Sequence, residues 1–258
     1  MIKHKIDIPE LPQEKEYIIA YIDILGTTDR LSKKDASDIF TNIYYPFLLA
    51  DRIIPEIEFF KAEEIKIKIF SDNILFAYPI SDASDKNKVF KAYEKICNVL
   101  NFVLHMFLNK GILFRGAITI GKLQINDLLV WGKGLVEVVR LEENVAIYPR
   151  IILSEKLLKI FDEFSLSGFQ YEIKFSCLKD TDNCVFFNYF NYDDTEAMDS
   201  SLYYAKKHID EAIKNEQCGD NRVKVLQKYY WHKNFLLDIE MTYTKIQRNK
   251  DLSGRPRL

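Results

Sequence analysis

Residues 65–78 read IKIKIFSDNILFAY. Ile65, Ile67 and Ile69 alternate with Lys66 and Lys68, the two-residue period of a strand with one covered face and one wet face. Ser71, Asp72 and Asn73 are turn formers, and a second apolar run follows them, so the stretch predicts a β-hairpin. Upstream, residues 17–24 (YIIAYIDI) form an apolar run of strand length that Gly26 breaks. That pattern predicts a buried strand feeding a tight turn. Residues 35–54, between the two, read as mostly helical apart from Pro46. Downstream, Phe90, Tyr93, Cys97, Leu100, Leu104 and Phe107 recur at spacings of three and four, a long amphipathic helix over 86–110 that Gly111 ends.

Beyond this helix, residues 113–121 and 128–131 read as strands, 134–143 as a helix and 154–161 as a short helix capped by Ser154. Residues 171–175 and 184–189 suit a last strand pair. After Asp193 the pattern changes to two helices, 196–216 and 223–246, split by Cys218-Gly219-Asp220-Asn221, and the tail 248–258 is expected to be loose. Without repeats or a linker, this order predicts one α+β domain. An antiparallel sheet is covered by helices, with a C-terminal helical hairpin as an appendage.

Composition removes several classes of function. Of 258 residues 48 % are apolar, enough to bury a sizeable core. The formal charge is −2 with acids and bases mixed, so the concentrated basic field that nucleic acid or a membrane surface attracts is missing. Cys97, Cys177, Cys184 and Cys218 show no CxxC spacing, and His4, His105, His208 and His232 no HExxH register. Neither zinc nor a cysteine–histidine nucleophile is expected, and the thiols read as reduced and partly buried. The first residues, MIKHKIDIPELPQEKE, lack the apolar centre of a signal peptide, and no apolar run nears the ~18 residues of a membrane span. A cytoplasmic protein is expected.

Two aspartates stand in special places. Asp23 ends a buried strand, where an unpaired carboxylate is unfavourable, and Asp72 sits at the hairpin tip. As turn residues they are ordinary. As carboxylates on neighbouring strands they form the hard oxygen site that Mg²⁺ or Mn²⁺ uses with nucleotide phosphates. Gly26, in Ile24-Leu25-Gly26-Thr27-Thr28, permits a turn whose amides face an anion. Arg115 and Arg150 read either as site residues or as ion-pair partners of acids such as Glu142. Lys179, Asp180 and Asp182 read as a surface turn or as phosphate neighbours. Tyr44, Tyr45 and Phe47 read as core or as the wall of a base pocket.

Four stretches between Tyr17 and Leu141 resemble, in order, the motifs of class III nucleotidyl cyclases: YIDILGTT (21–28), IKIKIFSDN (65–73), FRGAITIG (114–121) and WGKGLVEVVRLE (131–142). The resemblance implies a ferredoxin-like βαββαβ sheet, with residues 1–193 as catalytic domain and 194–258 as a helical extension packed on it. Carried over, Asp23, Ile24 and Asp72 become the ligands of two Mg²⁺ or Mn²⁺ ions. Leu25, Gly26, Thr27, Thr28 and Lys68 become nucleotide-binding residues, and Arg140 the residue that stabilises the transition state. Two positions depart from the pattern. Val136 replaces the family asparagine four residues before Arg140, and Leu129 replaces the aspartate that pairs with the adenine-reading lysine, here Lys68.

A second resemblance runs from Tyr17 to about Lys245. FSDNILFA, RGAITIG, GLVEVVRLEENVAIYPRIILS, LKDTDNCVFFNYF and the late KVLQKYYWHKNF are similar to the pyrimidine cyclases of bacterial Pycsar anti-phage systems. It implies cyclisation of UTP or CTP to a 3′,5′-cyclic monophosphate by in-line attack of the ribose 3′-oxygen, with pyrophosphate leaving. It also implies a homodimer whose sites draw aspartates and arginine from different protomers, and a separately encoded effector for the product. A purine cyclase with an altered base pocket, or a silent cyclase-homology module, are the other readings.

Overall fold

Strand β1 (Lys15–Ile24) is the axis of the structure: Ile18, Ile19, Ala20 and Ile22 are fully buried. A strand so apolar needs partners on both edges and cover on both faces. The computed structural model describes residues 13–26, 37, 41, 65–165, 177–190, 195–216 and 222–252. Within them β2 (Lys66–Phe70) and β3 (Asn73–Pro79) form the expected hairpin. Its two-residue turn places Ser71 at a φ of 59°, a left-handed conformation uncommon outside glycine. β1 pairs antiparallel with β3 on one side and with β4 (Phe114–Ile125) on the other. The resulting order, β2-β3-β1-β4, is that of a ferredoxin-like sheet. The helix expected over 35–54 lies outside the described residues, apart from Ser37 and Thr41.

The sheet continues from β4 into β6 (Ile151–Leu153), then β8 (Val185–Phe187) and β7 (Cys177–Lys179), while β5 (Val130–Trp131) pairs with the far end of β4. Here the structure adds to the expected fold. β6 is a three-residue strand running parallel to β4, so the sheet is mixed rather than wholly antiparallel. Of the predicted strand over 128–131, only the last two residues pair. The Asn126 side chain accepts hydrogen bonds from Leu128 and Leu129 N–H and holds them in a turn. The partner of β8 is 177–179, and the predicted strand 171–175 lies outside the described residues.

Helix α1 (Lys86–Leu108) is capped by Asp85, whose carboxylate accepts from Asn87 N–H, and packs on β1 and β3. Gly111 follows at a φ of 66°, and a side chain there would collide with His208. Helix α2 (Lys133–Asn144) lies across β1 and β4. Its Gly134 rests against Gly121, and a Cβ on Gly134 would stand 2.4 Å from Ile19 Cδ1. Helix α3 (Glu155–Ser165) begins with Leu157 N–H donating to Ser154 Oγ, as its sequence predicts.

The last two helices, α4 (Thr195–Asn215) and α5 (Arg222–Leu252), share the core of the sheet: Leu202, Ile209, Phe235 and Leu236 are buried in the same cluster as β1. α5 runs six residues beyond its predicted end, so residues 248–252 of the expected loose tail are helical. His105 of α1 bonds Ser201 Oγ at 2.8 Å and the Tyr189 carbonyl at 2.6 Å. Arg150 fastens α5: its guanidinium is fully buried, pairs with Asp180 and Asp182, and lies over the rings of Tyr148 and Trp231. Trp231 Nε1–H donates to Asp180 at 2.7 Å. Arg150 and the 179–182 turn are therefore partners of one another.

Removing Arg150 strands Asp180, 14 % exposed, whereas Asp182, 44 % exposed, regains water, so the cost is expected at the lower end of the about 3–5 kcal/mol of a fully buried pair. Arg150→Met is expected to destabilise on that scale in urea unfolding, and Arg150→Lys to recover part, because a point charge lacks the planar fork. A wild-type midpoint for Arg150→Met would refute the clamp.

Candidate active site

Residues directly opposite each other in a ladder lie on the same face of a sheet. The pairings Phe70–Asn73, Asn73–Asp23 and Asp23–Arg115 therefore form one row across four strands. Asp72 stands beside it in the turn, where its carbonyl accepts from Ile24 N–H at 3.0 Å. Leu25 N–H donates to the Leu113 carbonyl at 2.9 Å, and Gly26 takes a φ of 79°. The end of β1 is thus tied to the hairpin turn on one side and to the start of β4 on the other. Asp23 and Asp72, 49 residues apart in sequence, share one corner.

The charges at this corner are interlocked. Arg115 Nε donates to Asp23 Oδ2 at 2.9 Å and lies 2.8 Å from Oε1 of Glu142, a side chain only 4 % exposed. Nε carries a single hydrogen, and it points to Asp23, so Glu142 Oε1 has the ion pair but no hydrogen bond. Burial raises the Asp23 carboxyl above its usual range, against the pull of Arg115, with Asp72 adding to the rise. Burial likewise pushes Glu142 up to about 7, opposed by Arg115. The Tyr21 hydroxyl, two residues from Asp23 on the same face, is pushed up to about 12 by burial and by Glu142, Asp23, Glu143 and Asp72. Lys228 of α5 also reaches this field: its pKa is lowered by burial and by Arg115, against the pull of Asp23 and Glu142.

Such a field favours a cation. Asp23 and Asp72 provide hard oxygen donors, although among the described residues no group of three or more His, Cys, Asp or Glu side chains is arranged to hold a metal ion. Two carboxylates completed by phosphate oxygens are the donor set that Mg²⁺ takes in nucleotide sites. The residues present fit a divalent cation brought in with a phosphate ligand.

The other predicted site residues are spread out. Lys68 sits one row further along the same face, opposite Leu75, and its Nζ donates to the Asp127 carbonyl at 2.6 Å. Arg140 is exposed on α2 and lines an open groove of about 1430 Å³ with Trp131, Val136 and Lys156, a groove that neither aspartate lines. Thr27, Thr28, Tyr44, Tyr45 and Phe47 lie outside the described residues. Arg115 has two acidic partners, Glu142 as anticipated and Asp23 in addition, whereas Arg150 binds Asp180 and Asp182 instead of Glu142. Lys228 is the addition that sequence reasoning missed, and Glu142, anticipated only as an ion-pair partner, belongs to the corner itself. Glu142 stands four residues after buried Val138, a spacing that places a carboxylate on the inner face of α2.

No family model matches the sequence, and no curated protein matches it significantly. Among solved structures the chain is similar to the adenylyl cyclase CyaB from P. aeruginosa, at 14 % identity over 58 % of this chain and 82 % of that one, with a TM-score of 0.44. It is similar to a bacterial light-regulated adenylyl cyclase at 13 % identity, covering 76 % of this chain and 100 % of that one, TM-score 0.44. A third is the guanylyl cyclase Cya2, at 14 % identity over 69 % and 93 % of the two chains, TM-score 0.43. Likeness at this level says nothing about substrate. No described helix is long and apolar enough to cross a membrane.

The raised Glu142 pKa has a stability consequence in metal-free protein. A group whose folded pKa, about 7, exceeds its unfolded value of 4.5 contributes stability in full below pH 4.5 and loses it as pH rises through 7. Glu142→Gln cannot lose that contribution. Its melting temperature relative to wild type should therefore be higher at pH 8 than at pH 5, measured in EDTA; a gap constant across that range would contradict the assignment.

Proposed function

We propose that the protein is a nucleotide cyclase, acting as a homodimer on a nucleoside triphosphate. The observation that carries this reading is the shared corner of Asp23 and Asp72, in a negative field and beside the Leu25-Gly26 turn. Mg²⁺ or Mn²⁺ held there by the two carboxylates, with Ile24, would offset phosphate charge and acidify the attacking ribose 3′-hydroxyl. The Leu25-Gly26 turn would face the phosphates. Arg140, donated by the second copy, offsets charge that builds on the α-phosphate and leaving oxygens. Exposure of Arg140 on α2, with Trp131 at 66 % and Val136 at 70 % on the same groove, supports a surface that a second copy covers. Residues 1–193 form the catalytic unit and 194–258 its extension.

For the base we propose a pyrimidine, UTP or CTP, with the product serving a separate effector in anti-phage defence. The support is in the sequence, where Leu129 stands in place of the acid that would complete an adenine-reading pair with Lys68. A purine nucleotide is the second reading, favoured by the bond of Lys68 to the Asp127 carbonyl, which brings an acidic residue's backbone to that lysine.

Incubated with an equimolar pool of the four triphosphates and Mn²⁺, the protein is expected to form cyclic UMP or cyclic CMP. Cyclic AMP or cyclic GMP as main product would replace the pyrimidine reading and keep the cyclase. Asp23→Ala and Asp72→Ala should each abolish cyclisation, and either variant at wild-type rate would remove the metal assignment.

Arg140→Ala should lower kcat roughly 10²–10³-fold, the scale of one preorganised donor, with little change in nucleotide binding. Mixed with Asp72→Ala chains it should regain roughly a quarter of wild-type activity: about half the dimers are mixed, and each keeps one site intact. A mixture as inactive as its parents, with subunit exchange confirmed, would rule out the divided site.

A further inference from the structure

A cavity of about 310 Å³ lies between the Leu25-Gly26 turn, the end of α1 and the helices α4 and α5. Leu108, Ile112, Ile209 and Val225 give it mainly apolar walls, and Lys228 and His232 line it one helical turn apart. His232 is 1 % exposed, and neither ring nitrogen has a hydrogen-bond partner among the described residues. Burial pushes its pKa down to about 3, so the imidazole is neutral and offers one donor and one acceptor. Buried polar groups are nearly always satisfied, and one left open on both sides beside a cavity is a position for a ligand atom. Lys228 brings a half-buried positive charge to the same wall, felt by Asp23 and Glu142 from the other side.

We infer that this cavity binds a small organic monoanion with an apolar body, its carboxylate held by Lys228 and accepting a hydrogen bond from His232. The volume, at the lower end of ligand pockets, suits an aromatic or medium-chain acid. Glu216, also on the wall, disfavours a multiply charged phosphate. The bound acid offsets the Lys228 charge that opposes a cation at Asp23 and Asp72, so it strengthens divalent-cation binding there. That coupling rests on the proposed metal site; the binding itself does not.

The full chain is titrated with benzoate, hexanoate and indole-3-acetate by ligand-observed NMR, with benzyl alcohol and inorganic phosphate as comparators. At least one acid should bind with one-to-one stoichiometry and more tightly than either comparator. Lys228→Met should weaken it at least tenfold, and Ala212→Phe, which fills the cavity, should abolish it. His232→Phe, a substitution of similar shape, serves if Ala212→Phe melts early. Absence of binding by all three acids, unchanged binding in these variants, or tighter binding of phosphate would each overturn the site. Bound acid should also tighten Mn²⁺ several-fold by EPR, and Mn²⁺ should tighten the acid by the same factor. Acid binding with unaltered Mn²⁺ affinity would overturn the coupling, and absence of any Mn²⁺ binding would count against the metal site, leaving acid binding in place.

Discussion

A carboxylate at the end of a buried strand must find a counter-charge or lose its own, and in this protein Arg115 is that counter-charge for Asp23. The pair exists because β1 and β4 run antiparallel in a register that sets the two residues opposite each other. A slip of one residue would turn every side chain of β1 to the other face, putting Asp23 into the core and Ile22 and Ile24 onto the site. The apolar pattern of β1 thus fixes the register, and the register assembles the corner. Glu142 and Lys228 arrive there on separate helices, so the charge balance records the docking of α2 and α5 as well.

The C-terminal helices hold to the sheet through a mixed contact. Phe235 packs among Phe186, Tyr189 and Phe190, and Arg150 joins two aspartates beneath Trp231. The apolar part supplies burial, and the ionic part supplies direction, since a guanidinium between two rings and two carboxylates accepts few arrangements. Lys228, one turn before Trp231, is thereby brought towards the site. The extension and the corner are mechanically continuous.

Much of this was legible in the sequence wherever the signal was local. The hairpin, the long α1, the cap at Ser154 and the final helical pair follow from spacings of two or of three and four within single segments. The parallel strand β6 was not legible, because three residues, Ile151 to Leu153, carry no period. Among site residues, Asp23 and Asp72 could be singled out by their position against apolar runs. The contact of Arg115 with Asp23 joins residues 92 apart and needs the β1–β4 register, which no local pattern encodes. The end of α5 was misjudged because the polar residues 248–251 look like a solvated tail, yet Arg and Lys are also good helix formers.

The glycine contact between α2 and the sheet limits how the protein can be controlled. With Gly134 against Gly121 and no side chain between them, the helix lies directly on the strands, and a side chain at Gly134 would collide with Ile19. Arg140 is therefore carried on a helix seated directly on the sheet. If its task is performed in a second copy, the distance that matters is set by how the two copies are mounted on each other, and a small rotation of one against the other opens or closes both sites at once. Regulation then becomes a question of quaternary geometry.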